Sequence, residues 1–279
     1  MLARMQSYFK RQIVFPQDHG SWVFIFSPLM VGLFAGRTFH TPTTYLIVAA
    51  LSAFLIRQPI TIFIKAMSGR RSAADLPAAR FCLLVYGIIA AVALLGLIFS
   101  GYSYLIYLAI PGAPVFAWHL WLVSKRAERK QLGVEIIATG VLALVAPAAF
   151  WVGIGRYDPN GWWFWLFTWL QSAASIVYAY LRLSQRAMSP EQAAATGRAE
   201  WWKMGIRALL YTSFNMVLAV GLGISALVPL FIFIPFLVQW LETLWGITHP
   251  SVGWKPIQIG MRQLFVSVLW TVLFIVFWR

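Results

Sequence analysis

Acidic residues are scarce in this chain. Only 8 Asp+Glu stand against 22 Lys+Arg in 279 residues, and charged residues of both signs make up 11%. A soluble domain carries about 25% charged residues, so a solvated globular surface is excluded. Cysteine is rarer still: Cys82 alone permits neither an internal disulfide nor a cysteine-based metal site. It sits in the apolar run Phe81-Cys82-Leu83-Leu84-Val85 and is expected to be a buried structural thiol. There is no Gly-rich phosphate loop, nucleophile elbow or His-x-x-x-His pair. No Pro/Gly/Ser linker divides the chain, and the first twenty residues lack the apolar core of a signal peptide.

What is present is apolar. Hydrophobic residues reach 61% and aromatics 16%, including 15 Trp, against about 45–50% apolar in soluble domains. The surplus apolar surface has to face lipid. The formal net charge of +14 would point to nucleic acid in a soluble protein. In a membrane protein it points instead to sidedness and anionic headgroups, and no nucleic-acid partner is expected.

A hydrocarbon core of about 30 Å needs roughly 20 apolar residues per spanning helix. Runs of that kind fall at 20–36, 44–64, 81–98, 103–123, 133–153, 161–183, 206–222, 224–243 and 262–278. The expected fold is therefore all-α: nine transmembrane helices in one domain over residues 20–279. Strands do not compete, because an open sheet facing lipid leaves backbone groups unsatisfied. Residues 1–19 space Leu2, Met5, Phe9 and Ile13 by three to four positions among Arg4, Lys10 and Arg11. That pattern fits an amphipathic helix lying in the interface.

Basic residues fix the expected orientation. With the N-terminus cytoplasmic and the C-terminus outside, 19 of 22 bases fall on the inner side, leaving Arg37, Arg156 and Arg279 outside. The inner links at 65–80, 124–132, 184–205 and 244–261 are also the longer and more polar ones. Chemistry or recognition is expected on that face.

Two of those links resemble each other. Ala66-Met67-Ser68 with Ala73-Ala74, and Ala187-Met188-Ser189 with Ala194-Ala195, coincide at an offset of 121 residues. Either chance in an Ala-rich chain or a pair of related halves explains this.

Few residues suggest a site. Arg57-Gln58-Pro59 puts a costly charge in or just below the second span, where insertion at mid-membrane costs about 2.5–3.5 kcal/mol. Pro59 removes a backbone donor and is expected to kink that helix. Glu135 and Glu242 are the acids placed to neutralise Arg57 or other bases, and Tyr178-Ala179-Tyr180-Leu181-Arg182 closes the sixth span with two hydroxyls and a base. Pro16-Gln17-Asp18-His19-Gly20-Ser21-Trp22 is a polar cluster before the first span; it serves either as a helix start capped by Asp18 or Ser21, or as part of a cavity mouth. His40 is expected to be solvated, His119 to belong to an aromatic belt, and His249 to lie in a turn able to fold over a cavity. No metal site is expected.

Nine helices with polar motifs at the ends of the second, fourth and sixth resemble the UbiA superfamily of intramembrane prenyltransferases. Ser27-Pro28-Leu29-Met30-Val31-Gly32 resembles the family's Pro-x-x-x-Gly opening. Trp118 to Lys125-Arg126 with Gln131-Leu132-Gly133 resembles its fourth helix. That resemblance implies a UbiA-like bundle, with Asp-rich motifs holding Mg²⁺ and an isoprenyl diphosphate. Here Arg57–Lys65 and Tyr178–Ser184 carry no acid, and Mg²⁺ needs hard oxygen ligands. Mg²⁺-dependent prenyl transfer is thus not expected, and no catalytic residue is assigned. The Asp18-His19-Gly20-Ser21-Trp22 segment, Arg57-Gln58-Pro59 and the run Lys255-Pro256 to Gly260-Met261-Arg262 resemble the bacterial YwiC-like family, which implies the bacterial inner membrane.

The expected site is a basic cavity facing the cytoplasm. Arg57, Lys65, Lys125, Arg126, Arg182 and Arg186 converge there with His19, Trp22, Gln58 and Tyr180. Its expected ligand is a lipid, quinone or isoprenoid, with no further cofactor. Two alternatives stand beside it: an accessory subunit among other transmembrane chains of a respiratory or photosynthetic complex, and a prenyltransferase that holds diphosphate with bases alone.

Overall fold

The computed structural model describes residues 11–16, 19–125 and 131–278, without the side chains of Arg11 and His19. Most of the N-terminal amphipathic segment, Asp18 and Arg126 therefore lie outside the described residues. Among those described, every regular element is helical.

A helix stands at each of the nine expected segments. We number them, with one short helix between, as α1 (Val23–Gly36), α2 (Thr41–Met67), α3 (Leu76–Phe99), α4 (Ala109–Ser124), α5 (Leu132–Ala143), α6 (Val145–Ile154), α7 (Gly161–Arg186), α8 (Pro190–Ala195), α9 (Arg198–Ile224), α10 (Phe233–Thr248) and α11 (Pro256–Phe277). The fifth segment is the pair α5–α6, joined at Leu144. Seven stretches are long and apolar enough to cross a membrane: α2, α3 with its leading turn, 103–124, 132–154, α9, 230–248 and α11. The other two segments fall short for different reasons. Gly20–Gly36 is shorter, whereas α7 has 26 residues but carries Thr168, Gln171, Ser172 and Ser175 along its length.

The chain divides into two compact units, Met1–Trp165 and Leu166–Arg279. In the first, the stretch 132–154 is the centre: 67% of its apolar window is buried, against 17% for 73–99 and 11% for 103–124. The peripheral helices thus offer their apolar faces to lipid. The core joins Ile25, Leu29 and Leu33 of α1 to Leu46 and Phe54 of α2 and to Val145, Ala149 and Val152. α1 meets α6 at glycine: a methyl group on Gly36 would stand 2.8 Å from the Gly153 Cα, so only glycine lets the backbones approach this closely. Cys82 is buried as expected, beside Ile13, Ile62, Ala78 and Ala79. Ile13 belongs to the single helical turn Arg11–Val14, which is tied down by Tyr86 Oη donating to Val14 O and Gln58 Nε2 to Gln12 O.

Two local expectations change. α1 follows a 3-10 turn, His19–Trp22, and starts with no side-chain cap, so Ser21 is not its N-cap. His40 is not merely solvated: its Nε2 lies 3.0 Å from Tyr102 Oη, and it caps α2 reciprocally with Thr43. α2 runs through the buried Pro59 to Met67 as one assigned helix.

In the second unit, α10 packs on α9 and α11. The order of helices echoes the first unit. α2, α3, α4 and α5 begin at 41, 76, 109 and 132; α7, α9, α10 and α11 begin at 161, 198, 233 and 256, which is 120 to 124 residues later. Both Ala-Met-Ser links follow the ends of equivalent helices, α2 and α7, and each contains a short helical turn, Ala73–Asp75 and α8.

Candidate functional site

One face of α7 is polar at helical spacing. Thr168, Gln171, Ser172, Ser175, Tyr178, Arg182 and Gln185 recur every one to four positions, on an i, i+3, i+4 pattern, and all are buried. A buried polar stripe in an apolar chain costs free energy unless each group finds a partner. α10 and α11 supply most of those partners. Gln171 Nε2 donates to Gln239 Oε1 at 3.0 Å, and one turn on Ser175 Oγ donates to Gln263 Oε1 at 3.0 Å.

The next turn holds an ion pair. Arg262 binds Glu242 in two parallel bonds, Nε to Oε1 at 2.6 Å and Nη2 to Oε2 at 2.7 Å. Tyr178 Oη donates to the same carboxylate at 2.7 Å. Two aligned charge-assisted bonds and a hydroxyl offset the cost of burying that carboxylate. Gly246, one turn beyond Glu242 on α10, carries no Cβ because one would run into the Tyr178 hydroxyl.

Arg182 lies past that layer, 1% exposed. Its Nη1 donates to Gln185 Oε1, Gly246 O and His249 O at 3.0, 2.8 and 2.7 Å. Its Nη2 is buried without a hydrogen-bond partner, and among the described residues no carboxylate pairs with it. Trp254 and Trp245 flank the guanidinium, at 4.9 and 5.4 Å from its carbon to the ring centres. Trp245 also receives Arg262 at 3.5 Å, so one indole serves two cations. Two guanidiniums against one carboxylate leave this buried cluster with one unbalanced positive charge.

The turn after α10 is latched to α7. Ser251 Oγ donates to Arg182 O at 2.6 Å, Gln185 Nε2 to Gly246 O at 3.0 Å, and Arg186 Nε to Trp254 O at 2.8 Å. The His249 ring stacks on Trp245 at 4.8 Å and 7°. This turn thus folds back onto the α7 end.

The residues expected to line a site fall in both units. In the second, Arg182 and Arg186 meet the same turn, 249–254, while Tyr180 on α7 is half-buried. In the first, Trp22 packs on Phe54 with ring centres 5.0 Å apart, and the Arg57 guanidinium stands 5.4 Å from the other neighbour of that contact, the Phe54 ring centre. Gln58 anchors Gln12, Lys65 is half-buried near the end of α2, and Lys125 is exposed just past α4. Arg70 donates to Val123 O and so joins the ends of α2 and α4. His19's side chain and Arg126 are outside the described residues. Glu242 neutralises Arg262, one of the other bases it was expected to serve.

Sequence patterns did not single out Gln171, Ser175, Gln239, Gln263 or Trp245, and pointed to Arg262 as a topology charge and the end of the Lys255–Arg262 run, not as a site residue. The spacing of polar residues along 168–185 was the available signal.

Residues 15–150 match a family model. That stretch is similar to the YwiC-like protein family. The match includes the Asp18–Trp22 and Arg57–Pro59 segments on which the resemblance rested, and it ends within α6. The Lys255–Arg262 run and the whole polar cluster of α7, α10 and α11 lie beyond it. No curated protein and no solved structure matches the chain.

Proposed function

We propose that this YwiC-like membrane protein binds an amphiphile, a lipid, quinone or isoprenoid, and that the Arg182 cluster takes its anionic or polar head. The carrying observation is the unbalanced positive charge: Arg182 is buried among indoles, has a free Nη2, and pairs with no carboxylate among the described residues. A lone buried cation in an apolar chain is costly, and a phosphate or carboxylate accepting from Nη2 would offset that cost. The indoles around it suit the join between a headgroup and an apolar tail.

The chain spans the membrane nine times in this reading, with the N-terminus cytoplasmic and a UbiA-like arrangement of helices. The 19-to-3 division of bases supports that orientation. The end of α7 then lies at the cytoplasmic face, where anionic lipids concentrate. Arg186, exposed beside Trp254, supplies a second base at the same end.

Lipid extraction followed by mass spectrometry of protein purified in mild detergent tests this. The wild type should retain an anionic amphiphile in near-stoichiometric amount, and Arg182→Gln should retain at least tenfold less while keeping its helical circular dichroism. Equal retention by both proteins, or none by the wild type, refutes the reading.

A further inference from the structure

A second set of buried groups stands apart from Arg182, two to three turns earlier in α7. Gln171 and Gln239 share one hydrogen bond, which leaves Gln171 Oε1 and Gln239 Nε2 buried and unpartnered. Gln263 spends its oxygen on Ser175 and leaves Nε2 unpartnered; Trp270 Nε1 is unpartnered in a side chain 0% exposed. Three donors and one acceptor are therefore unmet within one three-helix layer. Each buried orphan costs about 1–3 kcal/mol, and native interiors hold few of them without a reason.

The orphans share a locality. Gln171 and Ser175 are one turn apart on α7, so the Gln239 and Gln263 amides meet α7 within about 6 Å along its axis. Trp270 follows Gln263 by seven residues on α11, the same face two turns on. Beyond it the layer is closed by aromatic rings: Phe236 edge-on to Trp270 at 5.4 Å and Phe274 stacked on it at 4.8 Å. All three donors are neutral, and the nearest charged groups among the described residues, Arg262 and Glu242 in the next turn, are bonded to each other. Neutral donors beside flat apolar rings match carbonyl oxygens on an uncharged molecule; an anion would instead meet its complement at Arg182.

We propose that Gln239, Gln263 and Trp270 form a hydrogen-bonding subsite for a neutral, carbonyl-bearing apolar molecule. Two sources share that chemistry: the ring carbonyls of a quinone, and the ester carbonyls of a neutral glyceride. Gln171 Oε1 accepts from a ligand hydroxyl where one is present, as in a hydroquinone or a diacylglycerol. The subsite rests on the amide and indole orphans and does not depend on the anion reading of Arg182.

Equilibrium binding to purified protein tests it, with decyl-1,4-benzoquinone and dioctanoylglycerol as separate probes. Carbonyl stretching frequencies of the bound probe are followed by difference infrared spectroscopy. One probe should bind with its carbonyl band shifted to lower frequency, and the one that binds identifies the source. Trp270→Phe deletes only the unmet donor and a ring edge, and should weaken binding about tenfold, the worth of one good hydrogen bond. Gln263→Met should do the same, with Ser175→Ala added so that no buried hydroxyl is left without its acceptor. Arg182→Gln should change the affinity less than twofold. The proposal is overturned if neither probe binds, if Trp270→Phe and Gln263→Met bind as tightly as wild type, or if only Arg182→Gln weakens binding.

Discussion

The two units follow the same helix order and fill their interiors differently. Of the eighteen buried polar or charged residues described, fourteen belong to residues 166–279 and only four, Thr43, Ser52, Asp75 and Thr139, to residues 1–165. The first unit closes on apolar side chains and on a glycine contact between α1 and α6. The second closes on a ladder of amides, a hydroxyl, a carboxylate and two guanidiniums. Packing of small residues suffices to join helices in lipid. A polar ladder with five unmet buried atoms, on Gln171, Arg182, Gln239, Gln263 and Trp270, is more than packing requires. The contrast separates a unit joined by apolar packing from one joined by buried polar contacts.

Substitutions that cut the ladder should break this contrast most. Glu242→Ala leaves Arg262 and Tyr178 facing an empty position, and removing one member of a buried pair costs about 3–5 kcal/mol. Arg262 is a third exposed on its side chain, so the lower end of that range is expected in denaturant unfolding. Adding Arg262→Met to Glu242→Ala should recover part of the loss, because no charge is then left without its partner.

The first unit should respond to volume instead. Gly36→Ala drives a methyl group against the Gly153 backbone, which cannot swing aside, and about 2 kcal/mol of destabilisation is expected. Gly246→Ala in the second unit meets the end of the Tyr178 side chain. That ring can shift, so about 1–2 kcal/mol is expected, seen as a lower melting temperature. Smallest is Asp75→Ala. Its bond to Arg71 joins neighbours on one turn at 2.7 Å with the arginine 29% exposed, and under about 1 kcal/mol should be lost. A large effect at Asp75, or none at Glu242, would erase the distinction between the units.

Much of the fold was legible because lipid enforces a simple rule. Apolar runs of sufficient length have to be helical, and each expected run contains a helix, though the one expected from 224 begins only at Phe233. Boundaries slipped where helices outrun their apolar stretch. α2 continues to Met67 past Lys65, and α9 begins at Arg198, eight residues before its expected start. The YwiC-like resemblance was legible from Asp18–Trp22 and Arg57–Pro59, which fall inside the matched stretch. The polar ladder was hard to read because its partners are remote in sequence. Gln171 and Gln239 are 68 residues apart, and Ser175 and Gln263 are 88. Hydropathy averages hide single amides in a span. His40 was misjudged for a similar reason, since Tyr102, its partner, is 62 residues away.

The central claim is that the interior of residues 166–279 binds an amphiphile. Photolabelling tests it most directly, using a phosphatidic acid analogue with a diazirine beside its headgroup and peptide mapping of the adducts. Adducts on Trp245, Trp254 or the adjoining turn, reduced at least fivefold in Arg182→Gln, are the predicted result. Adducts confined to the exposed faces of α3 and α4, and unchanged in Arg182→Gln, would contradict it.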